Sequence, residues 1–312
     1  MAASLHKRIL PLLLVTVATA ALLLLDLLSG DSGFGAVHGT LLTQIRLPRV
    51  LTAVLVGASL GLGGAQMQAV FRNPLADPHI MGISSGAGLG AAIAVIAIPS
   101  SAMGIPAGAI LGALLTSLLV VAAAGKTRST ATLLLLGIML GFILSAVSAT
   151  LQYTADEESL KRYYSWAAGS FVGNGTQELC VMAASLGTGA LLAGLNGKGL
   201  DLLLFGDDFA RAAGGRIRRI RTVSIFGVCL MTGAATAFCG PVGFVGIAAP
   251  HVARWIGGSS SARSVLPLSA LCGASIALLA DVLSFCGPVP LPVGSTMALV
   301  GIPVILYILL KK

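Results

Sequence analysis

The chain has 312 residues, 56% hydrophobic and only 10% charged, with a mean hydropathy of +0.97; a soluble domain carries about 25% charge. That composition excludes a water-soluble enzyme or binding module and points to a helical bundle in lipid. The formal charge of +8 and five cysteines do not indicate nucleic acid, a zinc site or a disulfide framework, because no CxxC or Cys/His cluster occurs and the basic residues are distributed by side.

The first apolar run, Ile9–Leu28, follows His6, Lys7 and Arg8. It is long enough to cross about 30 Å of hydrocarbon, and no small-residue cleavage site follows, so it is expected to stay as a membrane helix. Nine more spans are expected: Val50–Phe71, Gly82–Ile98, Gly104–Ala124, Thr130–Leu151, Gln177–Leu195, Thr222–Cys239, Val242–Ile256, Val265–Phe285 and Val293–Leu310. The eighth is short and contains Pro250, which predicts a tilted or partly membrane-deep segment. The whole forms one transmembrane domain, residues 1–312, of all-α class.

With the N-terminus in the cytoplasm and alternating spans, fifteen of the 19 Lys and Arg are cytoplasmic. The outer segments hold only Arg46, Arg49, Lys161 and Arg162. This is the positive-inside bias, and it favours an even number of spans with both termini inside.

Three loops have readable local structure. Asp77-Pro78 predicts an N-cap and first position for the third span. Asp156 can cap a short outer helix with Glu157–Lys161 and Glu158–Arg162 as i,i+4 pairs, ended by Gly169. Tyr163, Tyr164 and Trp166 would lie at headgroup level. In the largest cytoplasmic loop, Asp207 can cap a helix from Asp208 to Ala213, stopped by Gly214 and Gly215.

The chemistry-bearing motifs are weak. Gly125-Lys126-Thr127 resembles the end of a phosphate loop, but Val120 stands where the first glycine is needed and an apolar span precedes it. Gly86, Gly88 and Ala91 match a dinucleotide fingerprint by spacing, yet close helix packing explains them better. His251 is expected to bond a nearby carbonyl. Asp281, near the outer end of its span, is expected to meet an interfacial partner and not to relay protons. The central parts of most spans are Ala, Gly, Leu and Val, without the ionisable groups or broken helices of ion-coupled carriers. The run Phe-Cys-Gly-Pro-Val occurs at Phe238–Val242 and Phe285–Val289. Cys239 and Cys286 could pair there in an oxidising compartment, or the runs could be two similar helix ends. An energy source on another subunit is the economical inference.

Four segments resemble one family. Arg46–Ala92 (RLPRVLTAVLVGASLGLGGAQMQAVFRNPLADPHIMGISSGAGLGAA), Gly240–Gly257 (GPVGFVGIAAPHVARWIG), Leu204–Gly214 (LFGDDFARAAG) and Leu291–Leu310 (LPVGSTMALVGIPVILYILL) are similar to the permease subunits of iron-siderophore, haem and vitamin B12 importers. The resemblance implies about ten transmembrane helices with spans two to five and seven to ten as inverted repeats. It implies a homodimer in the bacterial inner membrane, served by two cytoplasmic ATP-binding-cassette ATPases and an extracytoplasmic binding protein. The chain itself would bind no cofactor and catalyse nothing; ATP and magnesium would belong to the ATPase. By the same resemblance, Arg46 and Arg49 would meet the binding protein, and Asn73 and Leu75 would narrow the cytoplasmic end of the pathway. Gly206, Asp207, Asp208, Phe209, Arg211 and Gly214 would form the coupling helix. Phe285 and Pro290 replace an Arg and a Glu common in the family, which puts a third outer basic contact in doubt. Gln66, Gln68, Ser84 and Ser85 are polar candidates along the path that do not name a substrate. The alternatives from other classes are an ion-coupled secondary carrier for a small solute and a membrane enzyme or scaffold.

Overall fold

A computed structural model describes residues 2–29, 39–97, 104–127, 129–286 and 289–310. Ile98, Arg128, Gly287, Pro288, Lys311 and Lys312, all of which enter the expectations above, lie outside the described residues. Twelve helices follow in order: α1 Ala2–Leu28, α2 Leu47–Phe71, α3 Ile83–Ala92, α4 Ile105–Lys126, α5 Thr130–Tyr153, α6 Glu157–Ala167, α7 Thr176–Leu204, α8 Asp207–Ala212, α9 Ile217–Cys239, α10 Val245–Gly257, α11 Ala262–Ser284 and α12 Val293–Leu310. A wide turn, Leu42–Arg46, leads straight into α2, and another, Ile93–Ala97, extends α3. Seven helices are long and apolar enough to cross a membrane; α3 with its extension and α12 are shorter apolar helices. With α10 this makes ten spans, while α6 and α8 are short helices in connections.

Helix α2 is the axle of the bundle. In its most apolar window 83% of residues are buried, against 17% in α1 and α5 and 22% in α7, whose leucine-rich faces are left for lipid. Small residues let α2 approach its neighbours, as membrane helices commonly do. A Cβ on Gly57 would lie 2.3 Å from the carbonyl oxygen of Gly273 on α11, and one on Gly64 would lie 1.9 Å from that of Gly246 on α10. The fingerprint-like glycines of α3 serve the same end: a Cβ on Gly86 would collide with Thr116 of α4 at 1.9 Å.

The helices form two related halves, α2–α5 and α9–α12. The first helix of each half packs along the third helix of the other, α2 on α11 and α9 on α4. The second helix of each packs on the third of its own half, α3 on α4 and α10 on α11. Each second helix is entered through a left-handed residue, Gly82 at φ +76° and Phe244 at φ +69°. Five crossings separate the halves, so their directions are opposed. This is the inverted repeat that the resemblance implies.

Several helix ends differ from expectation. Helix α7 runs on to Leu204 because its polar last turns find partners. Asn196 Nδ2 donates to the Ile220 carbonyl and to Ser224 Oγ of α9, both at 2.8 Å. Asp201 accepts the backbone N–H of Ala262 at 2.6 Å and the Ser261 hydroxyl at 3.2 Å, capping α11 from a neighbouring helix. Asp77 caps a single tight turn, Pro78–Met81, by accepting from His79 N–H at 2.8 Å, and α3 starts only after it. Asp156 caps α6 as expected, accepting from Ser159 N–H at 3.0 Å, and these bonds hold its carboxyl below the usual aspartate range. Gly169 ends that helix with φ +84°. The expected Glu157–Lys161 and Glu158–Arg162 pairs do not close among the described residues, whose ion pairs lie elsewhere. Cys239 and Cys286 are both free, so the pairing considered from the repeated run is corrected. Cys239 is buried and takes a hydrogen bond from Asn174 at 3.6 Å, while the Cys286 thiol donates to its own helix at Val282.

Candidate functional site

The cytoplasmic face is built around α8. Six residues cannot sustain a helix in water, where about 12 are needed, so this one is held from its base. Gly206, at φ +105°, takes the N-cap position without a side-chain cap, which corrects the expectation that Asp207 caps the helix. The Asp207 carboxylate instead pairs with Arg221 at 2.7 Å, a residue of α9 that also donates to Thr130 of α5. Ala210 is fully buried, and Gly215 N–H closes on its carbonyl at 2.7 Å. Gly214, at φ +79°, turns the chain toward α9. The outward side is different. Phe205 and Phe209 are 72% and 52% exposed, their rings 5.2 Å apart. Asp208 and Arg211 form a solvent-facing pair at 3.1 Å. The result is an apolar double ring on a fixed post, flanked by charges.

Beside it lies the connection from Arg72 to Asp77. Asn73 Oδ1 accepts from Leu75 N–H at 2.9 Å, and Leu75 is 43% exposed. His251 on α10 donates from Nε2 to the Pro74 carbonyl at 2.9 Å, which is the carbonyl bond expected of that histidine. Arg254 of α10 donates to Gln68 Oε1, while Gln68 Nε2 faces the carbonyls of Gly246 and Ile247 at 3.4 Å. A cavity of about 300 Å³ opens here, lined by Gln68, Arg72, Pro74, Asp201, His251 and Arg254. Asn73 and Leu75, which the resemblance would place at the cytoplasmic end of the pathway, are therefore tied through Pro74 to α10.

Broken helices are present, contrary to the reading of the central spans. The connection after α2 and the connection after α9 start from opposite faces, yet they touch. His79 Nε2 donates to the Val242 carbonyl at 2.7 Å, and Nδ1 pairs with the Ser84 hydroxyl. In the neutral ring this requires Nε2 to carry the proton and Ser84 to donate to Nδ1. Two loops from opposite sides can meet only if both dip into the bilayer, so α3 and α10 both begin inside it. Asp77 reinforces the junction: a Cβ on Gly246, in the first turn of α10, would lie 2.6 Å from Asp77 Oδ2, close to the positive end of that helix. Sequence reasoning missed His79. The available signal was its place two residues after a capping Asp.

The polar path candidates are buried or engaged internally, though Gln66 Oε1 finds no partner among the described residues. Gln66 and Gln68 are buried in α2, Ser84 is taken by His79, and Ser85 Oγ accepts from Ser145 at 3.0 Å.

At the outer end, the arginine pair that the resemblance assigns to the binding protein is buried in this chain. Arg46 and Arg49 are 4% and 2% exposed. Arg46 donates to the last carbonyls of α1, at Leu27 and Leu28, a favourable place for a cation. Arg49 lies between Asp26 at 3.0 Å and Asp281 at 2.9 Å, with the Phe285 ring centroid 4.1 Å from its guanidinium carbon. Asp281 thus has the partner predicted for it, but a buried one. Burial of the pair follows from Asp26, an acid at the end of an apolar span whose role the sequence did not disclose.

A model of the FecCD transport family matches residues 8–311. The vitamin B12 import system permease protein of Vibrio cholerae serotype O1 is 36% identical over 290 residues, covering 91% of this chain and 87% of that protein. Its counterpart from Klebsiella pneumoniae subsp. pneumoniae is 37% identical over 275 residues, 86% of this chain and 82% of that protein. Among solved structures, a metal-chelate type ABC transporter in an inward-facing conformation superposes with a TM-score of 0.88 at 30% identity, over 96% of this chain and 99% of that one. A Streptococcus pneumoniae PsaBC structure shares the fold at a TM-score of 0.57 and 17% identity.

Proposed function

The chain belongs to the FecCD transport family and is the permease subunit of an ATP-binding-cassette importer, and from that membership we propose how it is driven and what it carries. Two copies form the pathway between them, each seated on a cytoplasmic ATPase that binds and hydrolyses ATP, with a binding protein delivering substrate from outside. The cargo is a metal chelate of the cobalamin, haem or ferric-siderophore kind; the vitamin B12 permeases among its relatives and the metal-chelate transporter of the same fold support that class. The membrane is the bacterial inner membrane, with both termini cytoplasmic, which the distribution of basic residues supports.

The observation that carries the coupling role is α8. A six-residue helix clamped at its base by Asp207 and Arg221 and presenting Phe205 and Phe209 to solvent is suited to enter a cleft of another subunit. An exposed aromatic pair backed by a rigid post is the kind of anchor that concentrates binding energy. Motion of the ATPase would reach Asn73 and Leu75 through Arg72, whose guanidinium lies against Gly206, and through the His251–Pro74 bond. The test replaces Phe209 by Ala and Arg211 by Glu together. ATP-driven uptake into vesicles should be lost, or the ATPase should no longer co-purify, while membrane insertion is retained. Full uptake with the ATPase still bound would remove α8 from this role. Uptake of labelled cobalamin, haem and a ferric siderophore, each with the cognate binding protein, would identify the chelate.

A further inference from the structure

We propose that each permease chain holds one anionic phospholipid, with its headgroup phosphate at Lys126, Arg218 and Arg219 and an acyl chain in the groove between α4, α7 and α9. Two features along α4 and α9 point to it.

The first is charge. At the cytoplasmic ends of α4 and α9 lies a cavity of about 480 Å³ whose lining includes Lys126, Arg211, Arg216, Arg218 and Arg221. Adjoining it, a second hollow is lined by Gly125, Arg216, Arg218, Arg219, Thr222 and Val223. The two nearby acids are already engaged, Asp207 with Arg221 and Asp208 with Arg211. Lys126, Arg216, Arg218 and Arg219 enter no ion pair among the described residues and are exposed. No side chain caps α9, so its first turn adds partial positive charge to the same place. Excess cations without acids, at the depth of the cytoplasmic headgroups, attract lipids of net negative charge.

The second feature is an apolar cleft farther along the same two helices, α4 and α9. A cavity of about 430 Å³ runs along α4, α7 and α9, with Leu114, Leu118, Val181, Phe226 and Cys229 in its wall and no charged residue. On α9 the lining of cleft and hollow forms one helical stripe, from Ala234 through Leu230 and Phe226 to Thr222 and then Arg219. On α4 the stripe from Ile110 to Val121 is about 16 Å long at ~1.5 Å per residue, the depth of one leaflet's hydrocarbon, and its next position is the bare Gly125. A free phosphate would use the basic end alone. A neutral lipid would use the cleft alone. Only an anionic lipid uses both.

The test uses the transporter with its ATPase, purified and delipidated, and follows lipid binding by native mass spectrometry. The probes are palmitoyl-oleoyl phosphatidylglycerol, the corresponding phosphatidylcholine and inorganic phosphate. Phosphatidylglycerol should bind to one per permease chain, in clear preference to phosphatidylcholine and undisturbed by inorganic phosphate. R218Q with R219Q should weaken it roughly thirtyfold, and K126Q, at an exposed helix end, about fivefold. L118W, which fills the cleft without touching the charges, should weaken it as well. Equal binding of phosphatidylcholine, displacement by inorganic phosphate, an unaffected L118W, or loss of the lipid when the ATPase docks would each overturn the proposal.

Discussion

Arg49 shows how a single residue can be misjudged from its position. It lies where a membrane protein displays basic residues to an outer partner, yet it is enclosed by two carboxylates and a ring. Asp26 comes from α1 and Asp281 from α11, so one guanidinium ties the peripheral first helix to the second half of the bundle. Removing one member of a buried ion pair leaves an uncompensated charge and costs about 3–5 kcal/mol. R49A should therefore lower the thermal stability of the detergent-purified transporter sharply. The triple variant R49L/D26N/D281N, with no charge left to compensate, should recover most of the loss. Fluorescence-detected size exclusion after a heating series reads both. An R49A protein as stable as the parent would mean that the cluster is open to water, and Arg49 would again be available to an outer partner.

At the scale of elements, glycine pairs decide which helices can cross. The approach of α2 to α10 at Gly64 and Gly246 leaves no room for a methyl group, because the clash would be with backbone. The same crossing brings Gln68 and Arg254 together and places the start of α10 beside Asp77. G64V should therefore separate α10 from α2, with a loss of folded protein larger than the 1–3 kcal/mol typical of overpacking where neighbours can shift, roughly 3 kcal/mol or more. G187V offers the contrast, since nothing lies within 4 Å of a Cβ there, and should be close to neutral. Yield of monodisperse protein from membranes compares them; equal yields would show that α2 and α10 are free to move apart. The shortness of α10 also has its reason here. Residues 240–244 enter the bilayer without helix, Phe244 adopts φ +69°, and its extended carbonyl at Val242 is satisfied by His79, as irregular backbone inside a membrane requires.

For the whole molecule, sidedness is the quantity on which the functional reading depends. Alternating spans place Cys286 outside and the connection between α10 and α11 inside. A membrane-impermeant maleimide should label the exposed Cys286 in intact spheroplasts. A cysteine introduced by S260C, in a variant lacking the native thiols, should react only in inverted vesicles. The opposite pattern would invert the protein and remove α8 from the reach of an ATPase.

Much of this protein was legible in its sequence because the bilayer is a demanding solvent. Backbone groups must be satisfied within each span, so runs of apolar residues become helices and give both number and approximate limits. The distribution of Lys and Arg predicts the sides, and Asp156 and Gly169 mark the ends of α6 by local bonds alone. Helix α8 was legible as a short helix because acids in its first turn and glycines after it bound the segment. What failed were inferences about partners distant in the chain. The last turns of α7 looked too polar for a span until Ser224 and Ala262 supplied their bonds. Asp207 looked like a cap until Arg221 took its carboxylate. Arg49 was assigned to an outer partner by resemblance because nothing nearby in sequence neutralises it; its partners lie 23 residues before it and on α11. The broken starts of α3 and α10 were hidden because Asp77-Pro78 reads as an ordinary helix start and Gly240–Phe244 is as apolar as any span, and only the meeting of His79 with Val242 reveals that both chains enter the membrane before turning helical. Local backbone demands and side preference are written residue by residue. The pairing of buried polar groups is decided by the crossing of helices, because only there do groups far apart in sequence come within hydrogen-bonding distance.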